Sequence, residues 1–420
     1  MGFGYIYFLH QHPNPDCEVV FMEDSQLFKN INVLSLEQAT VLPYLTLRLA
    51  EEGANVIRLE HPIYGDPNRR IGDDVLKEDR MFSYYLSINA GKKALTLDLA
   101  TPEGAKILKE LILKLKVDIF ATNQLPRNYP KLGIEYQMLK KIKEDMIWLG
   151  MTGFGPESNE AAYDPVLQAR GGLMELTGEK GESPQVMGIP LPDMGASEHG
   201  YGLLMKALFK RAVTGQGSRI DLSMFESTVS WLTQPITHTV SFKKKVTRRG
   251  NTHEFFAPVS VYETRNGYVY VAVGNDRQWE TMTNIPGFES LSKKEYERNA
   301  GRIADVDNLN RAIHAITKEF TTEELIDIFT KVTLAISKVN SIEEVVEDPY
   351  VKPNLIRSKD PNTGAQITIA PPPFSTPFLK SINRMLSFPP RFGENNEEIY
   401  GRLLGYSAAQ LKEFKEKNII

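Results

Sequence analysis

The sequence predicts an α/β protein with a mostly parallel sheet covered on both faces, joined to a smaller α+β unit. Three observations predict it. Short apolar runs alternate with segments of helical period from residue 31 to about residue 150, the pattern of strands linked by crossover helices. After about residue 205 that rhythm gives way to a hairpin pattern and then to helices. The composition, 41% apolar and 24% charged over 420 residues, belongs to a chain that buries a sizeable core without cross-links.

The elements follow in order. The first 30 residues form a preamble in which Phe3 to Phe8 read as a strand or packing arm. Residues 31–36 predict a strand, and residues 43–52 a helix with Leu45, Leu49 and Ala50 at helical spacing; Gly53 ends it and Asn55–Glu60 returns to strand. His61-Pro62 and Gly65-Asp66-Pro67 read as loop. Residues 95–99 predict another strand. Thr101-Pro102 then opens a helix whose apolar stripe is Ile107, Leu108, Leu111, Ile112 and Leu115. Residues 117–122 and 146–150 complete the alternation of strands. Beyond a turn at Gly215-Gln216-Gly217, residues 224–240 read as one long helix. Residues 259–263 and 268–273 flank a turn as an antiparallel hairpin, and Thr321-Thr322-Glu323-Glu324 starts a helix within a helical stretch at 307–330. Residues 370–377 are extended, and residues 397–404 and 408–417 form two short terminal helices. On this reading residues 1–224 are the N-terminal part of a large domain, 225–335 a smaller domain, and 336–420 a C-terminal part completing or returning to the large one.

Composition excludes several function classes. Lysine plus arginine total 49 against 53 for aspartate plus glutamate, a formal net charge of -4, which leaves no broad cationic surface for a nucleic-acid backbone. The single cysteine, Cys17, rules out a disulfide framework and a Cys-rich metal site. No window reaches the roughly 18 apolar residues of a membrane span. The N-terminus carries Met1-Gly2 but lacks the basic region and cleavage site of a secretion signal. A cytoplasmic location is expected. The sequence contains no HExxH, GxxxxGK[ST] or GxSxG, and the segment from Val33 to Pro43 lacks GxGxxG, so nicotinamide binding has little support. The seven histidines are scattered without metal-ligand spacing; His61, His199 and His253 each sit beside a turn or helix start.

One segment stands out by its residue types. Gly153-Phe154-Gly155 is followed by Tyr163-Asp164-Pro165-Val166-Leu167-Gln168-Ala169-Arg170-Gly171-Gly172, a carboxylate ahead of an apolar turn, a glutamine and two glycines. Taken alone, Asp164 reads as a helix cap. Together with GANVIRLE (53–60), GDPNR (65–69), LTLDLATPEGAKIL (95–108), KLG (131–133), MTGFGP (151–156), GIPLPDMG (188–195), TGQGSRIDLSMFES (214–227), RRGNTHEFFAP (248–258), VAVGNDRQWE (271–280), SIEEVVEDP (341–349), FPPRFGENNEEI (388–399) and LLGYS (403–407), it forms an ordered set of segments. In these the chain resembles the family III CoA-transferases, which include formyl-CoA and carnitine CoA-transferases and are related to α-methylacyl-CoA racemase. The resemblance runs from residue 31 to residue 420.

The resemblance implies a Rossmann-like large domain, an interlocked dimer (or a heteromer with a related subunit), and CoA thioesters as substrates with no permanently bound cofactor and no metal. It places Asp164 on the nucleophilic aspartate that forms aspartyl anhydride and aspartyl-CoA thioester intermediates. It makes Lys131 a phosphate contact for CoA and sets Arg69, Lys92 and Lys93 along the CoA groove; read as residues alone, these are an ordinary solvated face. The racemase relatives tend to carry histidine before the aspartate, where this chain has Tyr163. A non-catalytic CoA-binding subunit is the alternative of a different class. The chain also departs from the pattern. Leu42-Pro43 stands for Gly-Pro, Thr40 for a glutamine that contacts the site in some members, and Asn123-Gln124-Leu125-Pro126-Arg127 lacks Arg-Pro-Gly. Residues 251–258 hold aromatics where a glycine-rich lid is usual, so Phe255 and Phe256 are candidates for an acyl pocket, with Gln168 and Thr40 beside them. That favours a larger acceptor, such as an arylsuccinate, with succinyl-CoA as donor; Arg170 or Arg249 would pair with a distal carboxylate.

Overall fold

The computed structural model describes residues 24–420, so the expected arm at residues 3–8, Met1-Gly2 and Cys17 lie outside the described residues. The chain forms a two-domain α/β structure. Its large sheet has six parallel strands: β1 (Asn32–Leu36), β2 (Asn55–Glu60), β3 (Lys92–Thr96), β4 (Ile119–Thr122), β5 (Ile147–Thr152) and β6 (Ser218–Ser223). Their order is β3-β2-β1-β4-β5-β6, with Leu34 of β1 level with Ile57 on one side and Phe120 on the other. The order reverses between β1 and β4, and connections leaving that point diverge to open a crevice beyond the carboxyl ends of the strands.

The helices of this part are α1 (Val41–Glu51), α2 (Ser83–Ile88), α3 (Pro102–Lys114), α4 (Tyr129–Leu132), α5 (Tyr136–Lys140), α6 (Asp164–Arg170), α7 (Leu173–Leu176), α8 (Leu191–Thr214), α9 (Met224–Ser230) and α10 (Thr233–Val240). Successive strand residues point to opposite faces. Leu34, Ile57, Leu95, Phe120 and Trp148 meet Ile107, Leu108, Leu111 and Ile112 of α3. Val33, Val56, Ile119 and Ile147 meet Leu45 and Leu49 of α1 and Ala196 and Leu204 of α8. The sheet is therefore buried on both faces, as parallel strands require.

Local signals explain the element ends. Thr101 caps α3, its Oγ1 accepting from Gly104 N–H at 3.0 Å. Gly53 follows α1 with φ +91°, a conformation that suits glycine, and the Phe378 ring packs where a Cβ would stand. The third strand ends at Thr96, earlier than residues 95–99 imply, because Asp98 N–H donates to Ile419 O from the chain's C-terminal end. The helix expected at 224–240 is two helices. Trp231 turns out of the path to stack on His199 at 5.0 Å, and Pro235 sits in the first turn of α10, where a missing N–H costs nothing. The 24-residue α8 carries no clean apolar stripe, because glycines do its packing: a Cβ at Gly200 would lie 2.5 Å from Leu45 of α1.

The smaller unit has an antiparallel sheet of β7 (Val259–Thr264), β8 (Gly267–Ala272) and β9 (Ala335–Lys338) in the order β7-β8-β9. Its core runs from Ala257 to Leu334, including Tyr262, Val269, Trp279, Phe288, Ile313 and Phe329. Thr321 and Glu324 form a reciprocal capping box on the helix Thr322–Lys331. Helix α9 packs on α8, with Met224 in the core of the large sheet. After β9 the chain returns to the large sheet, where Ile399, Tyr400, Ile419 and Ile420 join the α3 face. Residues 397–403 there are π-helical.

Candidate active site

The loops after β1 and β4 are stitched together at the sheet's reversal point. Asn123 Oδ1 accepts from Gln38 N–H at 3.1 Å, and Asn123 Nδ2 donates to Gln38 O at 2.8 Å. The next loop, after β5, joins this edge when Arg127 N–H donates to Asn159 Oδ1 at 2.9 Å. That loop turns at Gly153, whose α-carbon faces Ala162 too closely for a Cβ, and delivers Asp164 at the start of α6.

Asp164 is 8% exposed, and its carboxylate is held at both oxygens. Oδ1 accepts from Gln168 Nε2 at 2.6 Å, and Oδ2 from the Asp193 backbone N–H at 3.2 Å. Gln168 lies one helical turn along and is almost fully buried; its Oε1 accepts from Met187 N–H at 2.9 Å, which fixes the amide with its NH2 toward Asp164. Asp193 sits in the first turn of α8. Pro192 has no N–H, Leu191 donates to Ile189 O at 2.8 Å and Met194 to Pro190 O at 3.0 Å, so the N–H of Asp193 is left for Asp164. The positive end of a 24-residue helix thus meets the carboxylate. Burial pushes the Asp164 carboxyl above the usual aspartate range, against the pull of Gln168 and the Asp193 N–H. No cation pairs with Asp164 among the described residues.

Thr40 is tied to the start of α8 only through its neighbour. It precedes α1, its Oγ1 bonded to the Tyr84 hydroxyl at 2.8 Å, and the next residue's carbonyl, Val41 O, accepts from Ser197 Oγ, which also donates to Asp193 O at 2.8 Å. Lys131 is exposed on α4, just past the stitched loops, and makes no ion pair among the described residues.

The other basic candidates are placed differently. Arg69 is buried, clamped on both Glu60 oxygens at 2.6 and 2.7 Å and bonded to the Tyr85 hydroxyl at 2.8 Å. Lys92 is buried too, with Nζ on Glu37 at 3.1 Å, Pro43 O at 2.7 Å and Asn89 at 2.9 Å. Arg69 and Lys92, expected along the phosphate groove, thus present no open face with their charged groups in this structure. Lys93 is half-exposed and paired with Glu398 at 2.6 Å, on the outer strand of the sheet. Arg170 lies over the Phe154 ring at 4.2 Å and pairs with Glu160 at 2.7 Å, while Arg249 pairs with Glu254 at 2.9 Å. Phe255 packs edge-on against His238 and Phe256 stacks on His253; neither touches Asp164. His61 accepts from Ile63 N–H in its own turn, and His199 bonds Ser227 at 2.7 Å. Among the described residues no group of three His, Cys, Asp or Glu side chains gathers as a metal site.

Asp193 is the functional candidate that reading by residue type missed. The signal was in GIPLPDMG, a carboxylate one residue after a proline at a helix start.

A doubly wound sheet with a nearly buried, donor-held carboxylate delivered by the loop after β5 defines an α/β protein with a candidate active site. The family model of CoA-transferase family III matches residues 28–396, and the chain belongs to that family. It is a CoA-transferase. It is 26% identical over 413 residues to the succinyl-CoA:glutarate CoA-transferase of Mus musculus, covering 97% of this chain and 92% of that one. It is 28% identical over 385 residues to the succinate–glutarate CoA-transferase of Agrobacterium fabrum, covering 89% and 94% of the two chains. A crystal structure of a CAIB/BAIF family protein from Brucella suis superposes with a TM-score of 0.78 at 27% identity, covering 90% of this chain and 99% of that one. Among the described residues no helix is long and apolar enough to cross a membrane.

Proposed function

We propose that this chain moves CoA from succinyl-CoA to a second dicarboxylic acid through covalent intermediates on Asp164. The observation that carries the reading is the Asp164 carboxylate itself, nearly buried, held by two N–H donors and opposed by no cation among the described residues. An Asp164 oxygen attacks the thioester carbonyl; the C–O bond forms as the C–S bond breaks, and the electron pair leaves on the CoA sulfur. The thiolate then attacks the aspartyl carbonyl of the anhydride, releasing succinate and leaving CoA on Asp164 as a thioester. The acceptor carboxylate repeats the two steps in reverse and restores Asp164. Charge is conserved throughout, so the cycle needs no external acid or base. A carboxylate is required because the same group must form both an anhydride and a thioester. Both hydrolyse in water, so the site must close over them.

The mouse and Agrobacterium relatives support a dicarboxylate acceptor by their names. Phe255 and Phe256 offer aromatic surface for a bulkier acid such as an arylsuccinate, with glutarate as the compact comparator. Lys131, exposed on α4 and without an ion pair among the described residues, is the phosphate contact for CoA. The chain works as a dimer: α10 has no buried residue, and Ile236, Val240 and the adjacent Trp231 and Phe242 are exposed by 43–60%, an apolar face that a second subunit would cover.

Incubation with succinyl-CoA, hydroxylamine trapping and mass spectrometry test the mechanism. An adduct on Asp164 is expected, absent in Asp164→Ala, whose turnover falls by on the order of 10³-fold or more. Failure to label with succinyl-CoA or acetyl-CoA would remove the nucleophile. α-Proton exchange in deuterated water in its place would establish the racemase chemistry. Relative turnover with glutarate and an arylsuccinate decides the acceptor.

A further inference from the structure

Asp193 gives Asp164 more than a backbone donor. Its side chain is half-buried at the first turn of α8, next to the nucleophile, so two carboxyl groups share a partly dried site. Two such groups do not both ionise readily. The donors decide which one keeps the charge. Gln168 Nε2 and the Asp193 N–H both point at Asp164, whereas no hydrogen bond reaches the Asp193 carboxyl among the described residues.

We infer that Asp193 is a positioning residue that shares one negative charge with Asp164: protonated in the resting enzyme, it leaves the nucleophile ionised, and it ionises once Asp164 is acylated. This rests on Asp164 as the nucleophile. Acylation removes the charge from Asp164, and with it the repulsion that adds to burial in keeping the proton on Asp193. The proton then passes to solvent while the C–O bond on Asp164 persists, and it returns when the carboxylate is restored. The surroundings agree. On α8 itself Glu198 is drawn to Arg48 of α1 at 2.8 Å, and His199 to Ser227 of α9 at 2.7 Å. On α6 Arg170 is turned to Glu160, which leaves Asp164 as the charge acting on Asp193. Burial first, and then the Asp164 charge, push the Asp193 carboxyl up to about 7.

The reaction as a whole neither takes up nor releases a proton, so a proton burst reports Asp193. Mixing enzyme with succinyl-CoA in weak buffer with an indicator dye, at about pH 6, is expected to release up to one proton per Asp164 labelled, and progressively less above pH 7. Asp193→Asn, which keeps the shape and the backbone donor, is expected to label Asp164 without the burst. Its kcat/KM stays level above pH 7, where the wild type declines as a second negative charge appears beside the nucleophile. A wild-type adduct without a burst, or the same decline in Asp193→Asn, overturns charge sharing while leaving the nucleophile intact. An absent adduct overturns the nucleophile and this inference together.

Discussion

Two of the clusters of buried acidic groups in the described chain are built on opposite terms. Beneath β1–β3, Glu37, Glu60 and Asp66 face Arg58, Arg69 and Lys92, every side chain at most 1% exposed. Burial alone would raise both glutamates, but Lys92 and Arg58 around Glu37, and Arg58 and Arg69 around Glu60, outweigh it and hold them below the usual range. Around Asp164 and Asp193 no cation answers among the described residues, and burial wins: both carboxyls rise. Matched charges fix the loops that follow the strands. Unmatched ones are held at a cost in stability, the arrangement often found where a group serves chemistry.

Substitutions that unbalance the matched cluster should act on folding, and those in the unmatched one on turnover. Arg69→Met takes both close guanidinium donors from Glu60, leaving Arg58 at 3.4 Å, and is expected to lower unfolding free energy by about 3–5 kcal/mol in a urea titration, with turnover per folded molecule kept. A raised KM for acyl-CoA with unchanged stability would instead return Arg69 to the phosphate groove. Gln168→Leu should do the reverse, lowering kcat by up to about 100-fold as Asp164 loses its fixed orientation, with little change in the midpoint. Lys131→Ala is the milder case. KM for acyl-CoA should rise about tenfold at low salt and less at high salt, with kcat unchanged.

The smallest effect is a pair of opposite pH slopes. Glu37 and Glu60 are lowered in the folded state, so their contribution is present above the unfolded glutamate value and is lost as pH falls through the folded one. Asp193 is raised, so stability falls as pH climbs from the unfolded aspartate value toward 7. Thermal unfolding of Asp193→Asn should therefore rise by about 1–3 °C at pH 8 and hardly move at pH 4, while the acid-side loss stays. Equal gains at both pH values would place the effect in packing.

Much of the large sheet was legible because its causes are local. Asn55–Glu60 lies between a helix-ending glycine and a turn, and Thr101-Pro102 is a start signal that acts within one helical turn. Helix α8 was not legible, since its glycines make sense only against Leu45 and Trp231, residues far away in the chain. The break at Trp231 was half-legible, in Pro235.

The sequence alone determined the α/β class, the family resemblance and the position of Asp164, because residue spacing and order are written along the chain. It could not tell Arg69 and Lys92 from Lys131, since a basic side chain reads the same whether it faces water or a carboxylate. Tertiary structure decided that by bringing Glu60 and Glu37 against the first two and leaving Lys131 outside. It likewise set Asp193, 29 residues beyond Asp164, against it, by running one helix start into the carboxylate of another. Charge and proton affinity depend on neighbours within a few ångströms, and only the fold chooses those neighbours.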